Sequence, residues 1–304
     1  MIVEVAAGGY HTCVRYEDDT LDCWGRNDYS QANPPTTTYK EITAGYFHTC
    51  AIATEGDVDC WGDNGNGQSV PQEGDFTKVS AGYRTSCAVS TDGSPVCWGS
   101  WSGMAGPWDE ETEEYLDYGS IMSLTDVDVG YSSCGVDEEG VLHCWDGEHH
   151  TSDTNLYGIH YSGLSSLGAI YYRIPFSAYD GVVQTAVGGA QVCVITEEAT
   201  VECFGASSWD SAWWSVLSSI PGGTSTTSDI IEIDAGLSHF CALDSTGPIS
   251  CWGDDEDGQS SPPAGFFDYI QVSVGINHSC GLEADGNLVC WGSNDEGQLG
   301  EYGY

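Results

Sequence analysis

The chain has 304 residues and carries 47 acidic side chains against 6 basic ones, for a formal net charge of −41. A field of that sign repels phosphate backbones and anionic lipid, so nucleic acid is excluded as a partner, and no apolar run reaches the length of a membrane span, which excludes insertion by a helix. The acids are spread along the chain rather than gathered in a tail, the pattern of a solvated surface that favours cations, basic protein surfaces or high salt.

Met1 leads directly into a strand-like segment, residues 2–6, with no signal-peptide pattern, so a secreted form would be numbered as its mature chain. Forty glycines, abundant aromatics and an almost complete lack of long helical periodicity predict an all-β fold.

The first recurring element is a hairpin between Cys13 and Cys23. The same ten-residue spacing returns for Cys50 and Cys60, Cys87 and Cys97, Cys134 and Cys144, Cys193 and Cys203, Cys241 and Cys251, and Cys280 and Cys290, which uses all fourteen cysteines. A turn lies between the partners, with Gly56, Gly93, Gly140, Gly247 and Gly286 at one fixed offset and Asp19 and Ala199 filling it in the other two. Such a hairpin sets the two cysteines opposite each other on antiparallel strands, at the separation a disulfide needs. Metal-thiolate arrays use CxxC knuckles, and the chain has none. Seven short-loop disulfides, each adding about 2–3 kcal/mol, belong in an oxidising compartment.

A longer repeat surrounds each pair. Glycine stands five residues before the first cysteine at Gly8, Gly45, Gly82, Gly188, Gly236 and Gly275, and four before it at Gly130. An aromatic follows the second cysteine: Trp24, Trp61, Trp98, Trp145, Phe204, Trp252, Trp291. Glutamine stands eight residues past the second cysteine at Gln31, Gln68, Gln259 and Gln298. Small sheets repeated at this period cannot bury both faces alone, so they stack as a solenoid or a propeller. The first two intervals between leading cysteines are 37 residues, and the interval from Cys280 through the chain ends to Cys13 is also 37. That match predicts a ring closed by the N-terminal strand, with residues 2–6 completing the last blade and no sheet edge left open. All 304 residues then form one domain.

The segment Ala44–Gln68, AGYFHTCAIATEGDVDCWGDNGNGQ, resembles the repeat of the regulator-of-chromosome-condensation propellers, in the cysteine-paired form common in bacterial secreted proteins. The resemblance extends over the whole chain and implies a seven-bladed β-propeller with four-stranded blades. The family includes a chromatin-bound nucleotide exchange factor, a role at odds with this acidity and these disulfides. It also includes a secreted propeller that inhibits β-lactamases through aromatic-rich loops, similar in architecture and compartment, although no residue motif here carries that target.

Between consecutive cysteine pairs the connections are 27, 27, 37, 49, 38 and 29 residues. The long ones, about residues 99–123, 146–181 and 205–229, leave adjacent repeats at equivalent points and emerge side by side. Their aromatics are candidate binding residues: Trp101, Trp108 and Tyr115, then Tyr157, Tyr171 and Tyr172, then Trp209, Trp213 and Trp214. Proline followed by acids makes 107–118 a candidate short helix. The bland alternative is that these rings pack the loops onto the scaffold.

His11, His48, His239 and His278 share one slot two residues before a cysteine, occupied elsewhere by Thr85, Ser132 and Gln191; a structural hydrogen bond explains a slot so tolerant. Asp146, Glu148, His149, His150 and Asp153 cluster ligand-type side chains without a known metal spacing. Asp254, Asp255, Asp257 and Gly258, like Asp63, Asn64, Asn66 and Gly67, resemble half a calcium loop but lack its closing bidentate acid, so a structural turn explains them better. Asn277-His278-Ser279 is a glycosylation sequon that overlaps a strand start. No nucleophile elbow, phosphate loop or unpaired cysteine is present, and no metal site or cofactor other than calcium is suggested. The expectation is an extracellular or cell-surface module, not an enzyme, binding a protein or glycan through the insertions of repeats three to five. The alternatives are a subunit that binds copies of itself in a surface assembly or filament and, ranked last for want of a residue constellation, a carbohydrate-active enzyme.

Overall fold

The computed structural model describes residues 1–100, 105–109, 114–117, 123–131, 133–145, 181–189, 191–205, 229–265 and 268–304. Seven antiparallel sheets follow one another, each a three-stranded meander in sequence order. Their first strands are Ile2–Ala7, Tyr39–Ala44, Phe76–Ala81, Leu124–Val129, Val182–Val187, Ile230–Ala235 and Tyr269–Val274. Second strands begin at His11, His48, Thr85, Ser133, Gln191, His239 and His278, and third strands end at Gly25, Gly62, Gly99, Trp145, Gly205, Gly253 and Gly292.

Within every sheet the two cysteines are direct register partners across the second and third strands. The disulfides join Cys13 to Cys23, Cys50 to Cys60, Cys87 to Cys97, Cys134 to Cys144, Cys193 to Cys203, Cys241 to Cys251 and Cys280 to Cys290, as the ten-residue spacing predicts. Their Cα atoms are 4.0–4.1 Å apart, and no cysteine is free. The turn between them needs a left-handed residue. Its glycines have φ from 77° to 113°, and Asp19 (62°) and Ala199 (55°) adopt the same conformation despite their Cβ atoms.

The sheets pack face to face through their apolar alternates. Ile2, Val5 and Val14 of the first sheet share one core with Leu282, Leu288 and Leu299 at the far end of the chain. Cys50, Ile52 and Val58 of the second sheet pack on Phe76, Val79 and Trp98 of the third, with Cys60 at the edge of the same cluster. Each such buried apolar side chain contributes about 1.5–3 kcal/mol by leaving water.

Three expectations are corrected. The sheets have three strands rather than four, with an outer strand reduced to the single bridges Val58↔Gln72 and Cys290↔Gly303 among the described residues. The segment Ile2–Ala7 belongs to the first sheet, paired with His11–Tyr16 in the register Ala6↔Cys13, not to the last. Its three-residue connection holds it to its sequence neighbour, as a hairpin does. Within the candidate helix at 107–118 the described residues are strand instead, Ala105–Asp109 pairing antiparallel with Glu114–Asp117. Six acids in that segment with no intervening cation repel across helical turns, whereas its aromatic residues favour strands.

Candidate functional site

Four of the repeats share one arrangement between neighbouring sheets. The backbone carbonyl of Gln31 accepts from the indole Nε1 of Trp61 and from Thr49 Oγ1, each at 2.9 Å, and His11 Nε2 lies 2.8 Å from the same hydroxyl. Gln68 serves Trp98 and Ser86 in the same way, with His48 on Ser86, and Gln259 serves Trp291 and Ser279, with His239 on Ser279. The fourth set runs from the last sheet to the first: Gln298 O accepts from Trp24 Nε1 and Thr12 Oγ1, and His278 Nε2 contacts Thr12. The hydroxyl's single proton goes to the glutamine carbonyl, so the imidazole must donate from Nε2. Burial drives His11, His48 and His278 down to about 3 and His239 to about 4, which keeps all four neutral. The repeated histidine is thus a latch, as its tolerance of other residues implied. Each glutamine side chain meanwhile caps its own turn, as in Gln68 Oε1 accepting from Asn66 N.

The two calcium-like turns are closed by hydrogen bonds of their own. Asp63 accepts from Gly65 N and Gln68 Nε2, and Asp255 accepts from Ser260 N and Ser261 Oγ. No group of three metal-ligating side chains occurs among the described residues. The sequon is occupied structurally, since Ser279 is fully buried in its latch.

The first strands line a well of about 520 Å³. One slot carries Glu4, Glu41, Lys78, Asp126, Gln184, Glu232 and Gln271. Six of the seven use a side-chain oxygen to accept a backbone N–H from the next first strand: Glu4 from Ile42, Glu41 from Val79, Asp126 from Thr185, Gln184 from Ile233, Glu232 from Val272 and Gln271 from Val5. Neighbouring first strands do not pair with each other, so these side chains satisfy donors that would otherwise be stranded. Two residues on, Asp128 and Asp234 accept from Val187 N and Val274 N. Burial pushes the carboxyl of Glu232 up to about 8, those of Glu41 and Asp234 up to about 7 and that of Asp128 up to about 6, and it raises Glu4 and Asp126 as well. One end of the well narrows to a pocket of about 40 Å³. There a Cβ on Gly8 would stand 2.6 Å from Gly45 O. The series continues through Gly45, Gly82, Gly130, Gly188 and Gly236 to Gly275, whose Cβ would meet Gly8 O.

Beyond that neck the chain presents rings to solvent. Tyr83 and Tyr131 stack at 4.9 Å, and Tyr46 meets them edge-on at 5.0 and 5.9 Å. The exposed guanidinium of Arg84 lies 4.7 Å from the Tyr83 ring, and Tyr131 is 46% exposed. Beside them Phe47 packs on Tyr10 and Tyr29, with Arg26 over both Tyr10 and Phe47. The first insertion departs from the same end, where Ser100 N donates to Arg84 O. None of these rings was singled out from the sequence, although Gly-Tyr before the hairpin recurs at Tyr10, Tyr46, Tyr83 and Tyr131. Trp108 and Tyr115 are register partners across Ala105–Asp109 and Glu114–Asp117. Trp101, Tyr157, Tyr171, Tyr172, Trp209, Trp213, Trp214 and the Asp146–Asp153 cluster lie outside the described residues.

Four segments, residues 2–31, 39–68, 230–259 and 269–298, match the family model of the regulator of chromosome condensation (RCC1) repeat. These are the four repeats that end on a latching glutamine. The comparison with curated protein sequences finds no match. Among solved structures, the CRINKLY WD40 ectodomain of the Arabidopsis thaliana receptor kinase ACR4 is similar at 18% identity and TM-score 0.66, covering 96% of this chain and 95% of that one. The entire ectodomain of the Physcomitrella patens receptor kinase CR4 aligns at 19% identity and TM-score 0.65, over 96% of this chain and 73% of that one. Prp20p of Saccharomyces cerevisiae, described with binding properties toward Gsp1p and histones, aligns at 15% identity and TM-score 0.55, over 97% of this chain and 72% of that one.

Proposed function

From a chain that is a β-propeller of RCC1-type repeats with a disulfide in every blade, we propose an extracellular or cell-surface module that binds a protein partner through the aromatic end of its axis. The observation that carries this reading is the Tyr46–Tyr83–Tyr131 cluster with Arg84 laid on its face. Tyrosine and arginine dominate protein hot spots because they combine large contact area with directed polar tips. The aromatic residues that the sequence places in the insertions of repeats three to five are of the same recognition type. Seven disulfides support an oxidising location, and the resemblance in fold to two plant receptor ectodomains agrees with it. No helix among the described residues is long and apolar enough to cross a membrane.

The seven sheets form a closed ring in this reading. The latch from Gln298 to Trp24, the shared core of first and last sheets and the approach of Gly275 to Gly8 support it.

The binding face is tested with the immobilised protein and the extracellular fraction of its source organism. A partner recovered by the parent chain is titrated against Tyr83→Ala/Tyr131→Ala and against Trp108→Ala/Tyr172→Ala/Trp214→Ala. Affinity is expected to fall at least tenfold in the first variant, on the order of what one hot-spot side chain carries. Unchanged affinity in both, with the fold intact, places the partner elsewhere; retention of a glycan instead of a protein on the same rings replaces the partner class.

A further inference from the structure

We propose that the opposite, open mouth of the well docks a basic segment of a partner protein, presenting a lysine or arginine flanked by aliphatic side chains. Every first strand is irregular at its start, as between Ile230 and Glu232, where one extra residue enters the ladder. Such a bulge re-aims a side chain. Consecutive residues consequently line the well, Ile270 beside Gln271 and Val3 beside Glu4. The re-aimed residues of sheets five, six and seven are Val183, Ile231 and Ile270, and they are 56%, 56% and 52% exposed. Ile270 lines the well, and Val183 and Ile231 hold the same strand position in the two preceding sheets, so three exposed aliphatic side chains recur there that association would bury.

Charge decides what covers it. Asp126, Asp128, Glu232 and Asp234 stand on the wall formed by sheets four and six, whereas Arg15, Lys40 and Lys78 come from sheets one to three. Arg15 is already bound to Glu4 at 2.6 Å. A cation sliding in over the aliphatic rim therefore meets carboxyl groups that can release their protons to receive it, with Lys78 of sheet three the basic group that also acts on Asp126 and Glu232. Thr185, between these two sheets, also lines the well, and its Oγ1 is buried with no hydrogen-bond partner. The glycine neck closes the far end, so the well receives a side chain rather than a threaded strand. A second copy is a poor occupant, because each copy carries a net charge of −41.

The probe is a blocked synthetic peptide, Ser-Leu-Val-Lys-Val-Leu-Ser, titrated calorimetrically at low salt. Saturable one-to-one binding is expected, weakened about thirtyfold when the peptide lysine is replaced by glutamine, as for loss of a desolvated charge pair. Glu232→Gln/Asp234→Asn should weaken it comparably. Ile231→Ser/Ile270→Ser, at exposed positions that do not threaten folding, should weaken it about tenfold. Tyr83→Ala/Tyr131→Ala should leave it unchanged, which separates this site from the aromatic face. Absence of binding to the parent chain, or equal binding of the lysine and glutamine peptides, overturns the proposal. So does self-association of the parent chain that Ile231→Ser/Ile270→Ser abolishes, since a second copy would then be the occupant.

Discussion

Ser86 does three things with one hydroxyl: it donates to Gln68 O, receives His48 Nε2, and lies fully buried at the head of its strand. Ser86→Ala deletes the shared atom and strands a buried imidazole N–H, which costs about 1–3 kcal/mol. Ser86→Thr keeps the hydroxyl, as Thr12 and Thr49 do in sister repeats, and should lie near the parent. Urea unfolding midpoints with disulfides intact check both; an alanine variant as stable as the parent would mean that the latch adds nothing. The participants were visible in the sequence as recurring slots for histidine, tryptophan and glutamine. What no spacing discloses is that the acceptor is the glutamine's main-chain carbonyl, with its side chain turned the other way to cap a turn. Ala199 offers the opposite lesson: its alignment with five glycines marks a left-handed residue directly, and its φ of 55° agrees.

The first strands carry the chemistry that was hardest to foresee. Glu4, Glu41, Asp126, Glu232 and the two glutamines look like ordinary exposed alternates in a strand. Only stacking of one sheet beside the next turns them into acceptors for a neighbour's main chain. Their carboxyls are raised by burial, Glu232 to about 8 and Glu41 and Asp234 to about 7. A raised acid binds its proton more tightly folded than unfolded, so stability is greatest below the unfolded value near 4 and declines as pH rises toward 8. Melting temperature should therefore fall steadily from pH 5 to pH 8.5, and Glu232→Gln, which keeps the acceptor without the charge, should flatten that slope. A slope unchanged in the variant would remove Glu232 as a contributor. The strand pair Ala105–Asp109 and Glu114–Asp117 shows a limit of pattern reading, because proline followed by acids signals a helix start only when the next turns can tolerate their mutual repulsion.

At the scale of the molecule, cysteine spacing makes seven cross-bridged hairpins legible, and the equal interval through the chain ends gives the expectation of a ring. The mistake lay in assigning the N-terminal strand to the last sheet: counting residues fixes how many units there are but not where one begins. Gln298 is followed by the same number of residues to Ile2, through the ends, as separates Gln31 from Tyr39. A circular permutant joining Tyr304 directly to Met1 and opening at the exposed segment before Thr36 should thus form all seven disulfides and melt within a few degrees of the parent. Failure to oxidise completely would argue against a closed ring. The latches span the seams between sheets six, seven, one, two and three, so an unbroken arc is fastened by the same four-residue clasp. Val192 and Phe240 stand in the hydroxyl slot of sheets five and six, so hydrocarbon replaces the clasp there, and the side-chain bonds that still cross those seams come from the first strands, Asp126 to Thr185 N and Gln184 to Ile233 N. Greasy seams adapt to altered spacing more readily than a clasp whose atoms must meet within tenths of an ångström. The two longest connections in the sequence, 146–181 and 205–229, join the sheets on either side of those seams, where lengthening a connection leaves no clasp to break.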